Sequence, residues 1–396
     1  MVLFDLKNWG YKYKNNGKRL FFEGHEREDV KQDRSDFIDH FLENKEHYYR
    51  IDEKTNEWIM PTLEPWRLVS YHDESNYCCN EQSPKKWFKD GCEPFVSKGR
   101  GRSLMVSDFL VSHPSGPFFT LNEKEWKAAT KRYPSLLEDQ GINYEPRTCI
   151  GSIIPGQEGY FDSDSILNQF ERLFQMLQFK EAFKGHEFEI VVDNARTHTA
   201  QTMNINEYRL NIGKNCPKEF IIWKDENNNE HRLDLFFKKG VNAGLSKGLR
   251  VVAKELGFNP VGKKLDELKA ILIKHPAFSS TTKLEALGQK YGVKIIFCPK
   301  FHCELNPIEG RWCLEKGYVR KHSDQTFFKM LHLIKEARNY FEENQFYKKL
   351  INRFWNCLFA YKAGATYGEV LKTYFGNKNK EKIVNHRKFY ETYLKM

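Results

Sequence analysis

A chain of 396 residues is long enough for two or three domains and a sizeable core. With 40% hydrophobic, 15% aromatic and 29% charged residues, a disordered or collagen-like chain is excluded, and no apolar run approaches the length of a membrane span. The formal net charge of +10 is lodged at one end, since Arg311 to Met396 carries 18 Lys and Arg against 8 Asp and Glu while residues 1–310 balance at 45 each. Such asymmetry points to a polyanionic partner, nucleic acid before membrane.

Asp5 and Lys7 interrupt the N-terminus before the apolar core of a signal peptide can form. Nine scattered cysteines without a CxxC pair predict free thiols in a reducing, intracellular setting. FIDHFLENKEHYY (Phe37 to Tyr49) is spaced as an amphipathic helix. After Pro61 and Pro65, WRLVSYHDESNY predicts a strand that ends near Asp73. KKWFKDG and SLMVSDFLVSH, with Gly99 and Gly101 between them, continue it as an antiparallel meander. SILNQFERLFQMLQF (Ser165 to Phe179) places Ile166, Phe170, Leu173, Phe174 and Leu177 on one helix face, capped by Asp164 or Ser165. HEFEIVVD (His186 to Asp193) reads as a buried strand. From about 205 to 285 the pattern changes to a polar run, Lys224 to Arg232, and two short helices, LSKGLRVVAKELG and LDELKAILIK, with Gly257 as a helix stop. Strand KYGVKIIFCP follows, and Asn306-Pro307 opens a helix that begins a helical, basic remainder. Strands followed by α/β units predict a mixed sheet with helices on its faces.

Three carboxylates stand where open α/β sheets place working groups: Asp73 in VSYHDES, Asp193 in EIVVDNARTH and Glu309 in ELNPIEGRW. Carboxylates beside apolar strands are costly unless paired or bound to metal. Three that converge can hold two Mg²⁺ ions, which prefer oxygen ligands. Glu309, in a first helical turn, is also eased by the helix dipole. Glu74 points to the opposite strand face from Asp73 and is left out of this set.

HDES, VVDNARTH and CPKFHCELNPIEGRW resemble the three signature blocks of DDE transposases of the mariner-like superfamily, over roughly Pro65 to Tyr318 and more weakly near Phe354 to Lys362. The resemblance implies an α/β fold: a ribonuclease H-like mixed sheet flanked by helices, here with an inserted helical module and a helical basic C-terminal region. It implies that Asp73, Asp193 and Glu309 form the catalytic, metal-binding triad for two Mg²⁺ or Mn²⁺ ions. It also implies cleavage and strand transfer of double-stranded DNA, with a homodimer as one assembly to expect, no membrane partner, and a nuclear location in a eukaryote. Asn194 and His198 match supporting positions of the DNAxxH block. Two ions about 3.5–4 Å apart would activate the attacking oxygen and stabilise the leaving one.

Two features depart from the family. Asp193 and Glu309 are 116 residues apart, where mariner-like proteins have a few tens, and the 205–285 segment accounts for the excess as an insertion. About 65 residues precede the core without a clear helix-turn-helix, so that region is expected to be truncated or replaced. The expected divisions are 1–64, an N-terminal helical remnant; 65–204 and 286–345, the two parts of the core; 205–285, the insertion; and 346–396, the basic tail. The insertion's helix, basic linker and helix look similar to a SAP-type DNA-binding motif. Lys247, Arg250, Lys263 and Lys264 there, and Lys348, Lys349, Arg353, Arg387 and Lys388 in the tail, are the candidate phosphate contacts. The alternative function is a DNA-binding protein derived from a transposase and lacking catalysis.

Overall fold

The β-branched and apolar runs pair into a six-stranded sheet in a computed structural model that describes residues 24–82, 99–202, 205–225, 229–278 and 281–375. A helix α1 (Glu28–Glu43) and a short antiparallel pair, β1 (Arg50–Ile51) and β2 (Trp58–Ile59), precede it. The sheet uses β3 (Trp66–Cys78), β4 (Ser103–Val111), β5 (Asn143–Tyr144), β6 (Gly151–Ile153), β7 (His186–Val192) and β10 (Val293–Phe297) in the order β10–β7–β3–β4–β6–β5. β3 is antiparallel to β4 and parallel to β7, and β7 is parallel to β10. This is the mixed ribonuclease H-like sheet expected from the sequence. KKWFKDG lies outside the described residues.

Helices cover both faces. α2 (Glu123–Arg132), α3 (Ser163–Leu177) and α6 (Lys283–Tyr291) pack around a core that includes Phe109, Phe170, Leu173, Phe174, Ile190 and Leu284. Full burial of one such Phe contributes about 1.5–3 kcal/mol. The cap of α3 lies at least two residues earlier than expected. Asp162, not Asp164, accepts the Ser165 amide at 2.8 Å, and Ser165 Oγ accepts the Asp162 amide at 2.7 Å, a reciprocal capping box. β3 likewise does not stop near Asp73 but runs five residues further to Cys78, because the extension pairs residue by residue with β4 and buries Ser75, Tyr77 and Cys78.

Between β7 and α6 the chain builds a second core. β8 (Phe220–Lys224) and β9 (Glu230–Asp234) form an antiparallel hairpin, followed by α4 (Gly248–Glu255) and α5 (Leu265–Leu272). Ile221, Leu235, Leu249, Val252, Leu268 and Leu272 close over one another. The insertion is therefore not purely helical as expected. The end of its polar run lies in the exposed start of β9, where His231 stacks on Trp223 and Arg232 lies 3.9 Å above the Phe220 ring. A lone hairpin is marginal in water, so burial against α4 and α5 supplies its stability. Gly257, at φ +85°, ends α4 in the left-handed conformation that the sequence required of a helix stop. Leu284 belongs to the core under the main sheet, so the second core ends before α6.

The described residues divide into two compact units. The larger holds both cores above together with α7 (Pro307–His322) and α8 (Phe327–Glu343). The smaller gathers residues 24–45, 298–305 and 353–375, including the end of α9 (Phe346–Lys362) and α10 (Tyr367–Tyr374). Phe37, Phe41, Phe354 and Trp355 pack within it, and Tyr361 donates to Glu304 at 2.6 Å. α1 starts nine residues before the expected helix, since its first turns are charged helix formers with Val30 their one buried residue, and it ends at Glu43, short of Tyr49.

Candidate active site

Strand alternation separates the polar side chains of β3. Asp73 pairs across the sheet with Asp108 of β4 and shares its face with Tyr77, while His72 and Glu74 point to the face covered by α3. Register aligns Tyr71 with Val191 of β7, so Asp193, two residues further, emerges level with Asp73 where β7 ends.

α7 lies over the Asp73 face, and buried charges fix it there. Arg311, 1% exposed, donates to Asp108 at 2.6 Å and to Glu315 at 2.7 Å, and Tyr77 donates to Glu315 at 2.9 Å. Burial opposes the Arg311 charge, but Glu315 and Asp108 outweigh it and hold the guanidinium protonated. Asn306 precedes α7, yet its side chain makes no cap. Its Nδ2 donates instead to the His72 carbonyl at 3.3 Å, fastening the helix start to β3 beside Asp73. Glu309 follows three residues later in the first turn, with its side chain reaching solvent. Ile308 and Trp312 are buried, as packing residues of this helix should be.

The three carboxylates act on one another. Asp73 is 8% exposed, and its carboxyl is pushed up to about 8, first by burial and then by Glu309, Glu74 and Asp193. Glu309 is raised by desolvation first and Asp193 second, against a weaker pull from Lys316. Burial alone would raise Asp193 too, but hydrogen bonds from His198 Nδ1 at 2.6 Å and the Ala195 amide at 2.9 Å hold it below the usual range. No ion pair is made by Asp73 or Glu309 among the described residues. An oxygen-only donor set in which two of the three carboxylates make no ion pair fits a hard divalent cation such as Mg²⁺ or Mn²⁺. His198 is fully buried, so its bond to Asp193 positions that carboxylate and a phosphate contact is excluded. Asn194 is half-buried beside it. His72 carries no mark of function in the sequence, and Glu74 is set aside there for its orientation. The alternation H-D-E on one strand is the available signal, since positions 72 and 74 must share the face opposite Asp73.

The basic candidates separate by environment. Lys348 is buried and its ammonium donates to the Asn56 carbonyl at 3.1 Å, so it does not face a phosphate, contrary to the expectation from sequence. The Lys247 ammonium is 2.7 Å from Glu255 and its side chain is 13% exposed, which removes it as well. Arg250, Lys264 and Lys349 are exposed, and Lys263 is half-buried. Arg353 lies 4.4 Å over the Phe375 ring. Arg387 and Lys388 lie outside the described residues.

No protein-family model matches the sequence, and no curated protein matches it. Solved structures that resemble the chain include the Mos1 mariner paired end complex with Mn, at 12% identity over 92% of this chain and 71% of that one, with a TM-score of 0.43. A pre-cleavage Mos1 transpososome is similar at 10% identity over the same shares, with a TM-score of 0.44. The Mos1 Strand Transfer Complex follows at 12% identity over 92% and 70%, with a TM-score of 0.42. No helix among the described residues is long and apolar enough to cross a membrane.

Proposed function

We propose that this chain cleaves and joins DNA strands with divalent metal ions, as a DDE transposase of the mariner-like kind, and that Asp73, Asp193 and Glu309 are its metal ligands. One observation carries the reading: carboxylates from β3, the end of β7 and the first turn of α7 perturb one another's ionisation, and neither Asp73 nor Glu309 makes an ion pair among the described residues. Bound Mg²⁺ or Mn²⁺ would lower the pKa of an attacking water or hydroxyl and neutralise charge on the phosphate. Asp73, buried and central, would hold ions in common. Asp193, oriented by His198, and Glu309, carried by α7, would complete the set from either side. Double-stranded DNA is the substrate, steered by exposed lysines and arginines such as Lys349 and Arg250. Homodimeric assembly and a nuclear location in a eukaryote belong to the same reading.

The experiment is incubation of the full chain with supercoiled plasmid and labelled duplex in Mg²⁺, in Mn²⁺ and in EDTA. Cleavage in metal alone is expected, and Asp73→Asn, Asp193→Asn and Glu309→Gln should each abolish it with unchanged circular dichroism. An Asp193→Asn protein that cuts at the wild-type rate overturns the triad. Duplex binding without cleavage in any metal would favour the non-catalytic DNA-binding protein.

A further inference from the structure

On the opposite face of β3, a second group of donor atoms converges with no place in the proposed strand-cleaving chemistry. One ring nitrogen each of His72 and His198 and one carboxylate oxygen of Glu74 lie within 4.8 Å of one another. Both imidazoles are fully buried, and the Glu74 side chain is 10% exposed. The rings of His72 and His198 meet edge to face, with centroids 5.1 Å apart.

Their hydrogen bonds determine where the protons are. Gln169 Nε2 donates to the carbonyls of Ser107 and Cys149, both at 2.9 Å, which fixes its amide orientation and leaves Oε1 as an acceptor. Ser107 Oγ donates its one proton to that Oε1 at 2.7 Å. The contact of 2.8 Å between Ser107 Oγ and His72 Nε2 must then be donated by the imidazole. Neutral His72 therefore carries its lone pair on Nδ1, and that atom is buried without a partner.

The same logic applies to His198. Its Nδ1 is 2.6 Å from an Asp193 carboxylate oxygen that can only accept, so Nδ1 bears the proton. Nε2 makes no hydrogen bond, and Glu74 Oε1 stands 3.6 Å away. Each imidazole thus keeps one buried lone pair without a donor, in a cluster where a ring nitrogen of each and a Glu74 carboxylate oxygen lie within 4.8 Å of one another. A buried acceptor without a donor is unfavourable by about 1–3 kcal/mol, which applies to each imidazole nitrogen, and a cation held with Glu74 is the occupant that satisfies both.

We propose that His72, Glu74 and His198 bind one borderline divalent ion of the Zn²⁺ class, at a site separate from Asp73, Asp193 and Glu309. Two nitrogens and one oxygen match catalytic-type zinc sets, which take three protein ligands and a water, and imidazoles select against Mg²⁺. Ligands about 2.1 Å from a tetrahedral ion stand about 3.4 Å apart, close to the 3.6 Å between His198 and Glu74. Asp193 accepting from the far nitrogen of His198 is the carboxylate–histidine–metal arrangement that fixes a ligand's tautomer and orientation. Ser107 does the same for His72. The ion would lock His198, and through it Asp193, without touching a substrate. The site stands whether or not the chain cleaves DNA.

The test strips the full chain with chelator, dialyses it against Zn²⁺ or Co²⁺, and measures metal content after gel filtration. One retained Zn²⁺ per chain is expected, with the visible absorption of low-coordinate Co²⁺ in the substituted protein. His72→Gln, Glu74→Gln and His198→Gln should each weaken Zn²⁺ binding by on the order of a hundredfold or more, and the Asp73→Asn/Glu309→Gln double variant should keep the ion. Should those ligand variants fail to fold, X-ray absorption at the zinc edge of the wild-type protein must still count two imidazoles. Folded wild-type protein that retains no zinc overturns the proposal. So does zinc lost in the Asp73/Glu309 variant but kept in His72→Gln. An NMR signal for a proton on His198 Nε2, facing Glu74, in protein that takes up no metal would make an imidazolium the occupant instead.

Discussion

Replacing Arg311 by Met would test what holds α7, and hence Glu309, over the sheet. The guanidinium sits between Asp108 and Glu315, at 2.6 and 2.7 Å, and all three side chains are at most 2% exposed. Removing one member of a buried charge group typically destabilises by about 3–5 kcal/mol, because the remaining charges are stranded. Two carboxylates would be stranded here, though not fully. Arg338 remains 3.5 Å from Asp108, and the Tyr77 hydroxyl still donates to Glu315. A loss of about 4 kcal/mol follows, and for a unit of this size about 2 °C of Tm accompanies each kcal/mol, so Tm should fall by about 8 °C. Thermal unfolding followed by circular dichroism at neutral pH reads it directly. An Arg311→Met/Asp108→Asn/Glu315→Gln protein has no stranded charge and should regain most of that loss. If Arg311→Met unfolds within about 1 °C of wild type, the charges do not secure α7 and the account of Glu309's placement fails.

Asp73 gives a pH dependence of defined sign. Its folded pKa of about 8 exceeds the unfolded 3.8, so its contribution is fully present below about pH 4 and is lost as pH rises toward 8. Asp73→Asn should therefore stabilise the metal-free protein at pH 8, by on the order of 5 kcal/mol at most, and do nothing at pH 4; denaturant titrations showing an equal gain at both would refute this. Asp193 works in the opposite sense, its lowered pKa stabilising above the unfolded value and ceasing to do so in acid. The insertion should be removable. Gln201 bridges to Thr282, so its ends already meet, and replacing residues 205–278 with a short Gly/Ser linker should leave a cooperative unfolding transition. Collapse of the main sheet would make the second core an integral layer. For DNA, Lys349→Glu should lower the slope of log affinity against log salt by about 0.9, because one phosphate is no longer neutralised, whereas Lys348→Met should cost stability and leave the slope unchanged.

Much of this is legible in the amino-acid sequence, for identifiable reasons. β3, β4, β7 and β10 follow from β-branched and aromatic runs that are largely buried, and α3 and α7 from helical periodicity and first-turn chemistry. The hairpin of the insertion escapes because the stretch between its strands and β9 itself are polar in sequence, and the burial of Ile221 and Leu235 depends on helices distant in sequence. Lys348 escapes for a related reason: position on a basic helix does not reveal that an ammonium will turn inward to a backbone carbonyl. The Arg311 network is also out of reach, since Asp108 lies 203 residues away and appears in the sequence as one more polar residue in a strand.

The strand register explains why neighbouring acids in HDES serve different surroundings. Side chains alternate with a period of two, so Asp73 must face α7 while His72 and Glu74 face α3, and a slip of one residue would exchange the two sets. Only a group at the end of a strand can serve both faces. Asp193 occupies that position, just beyond Val192, where the backbone leaves the sheet and its carboxylate can influence Asp73 while accepting from His198. His198 stands against Glu74 and His72 through its other nitrogen. The ionisation of the Asp73 face is therefore coupled to the occupant of the opposite face through one hydrogen bond of 2.6 Å, and disturbing either side must be felt at Asp193.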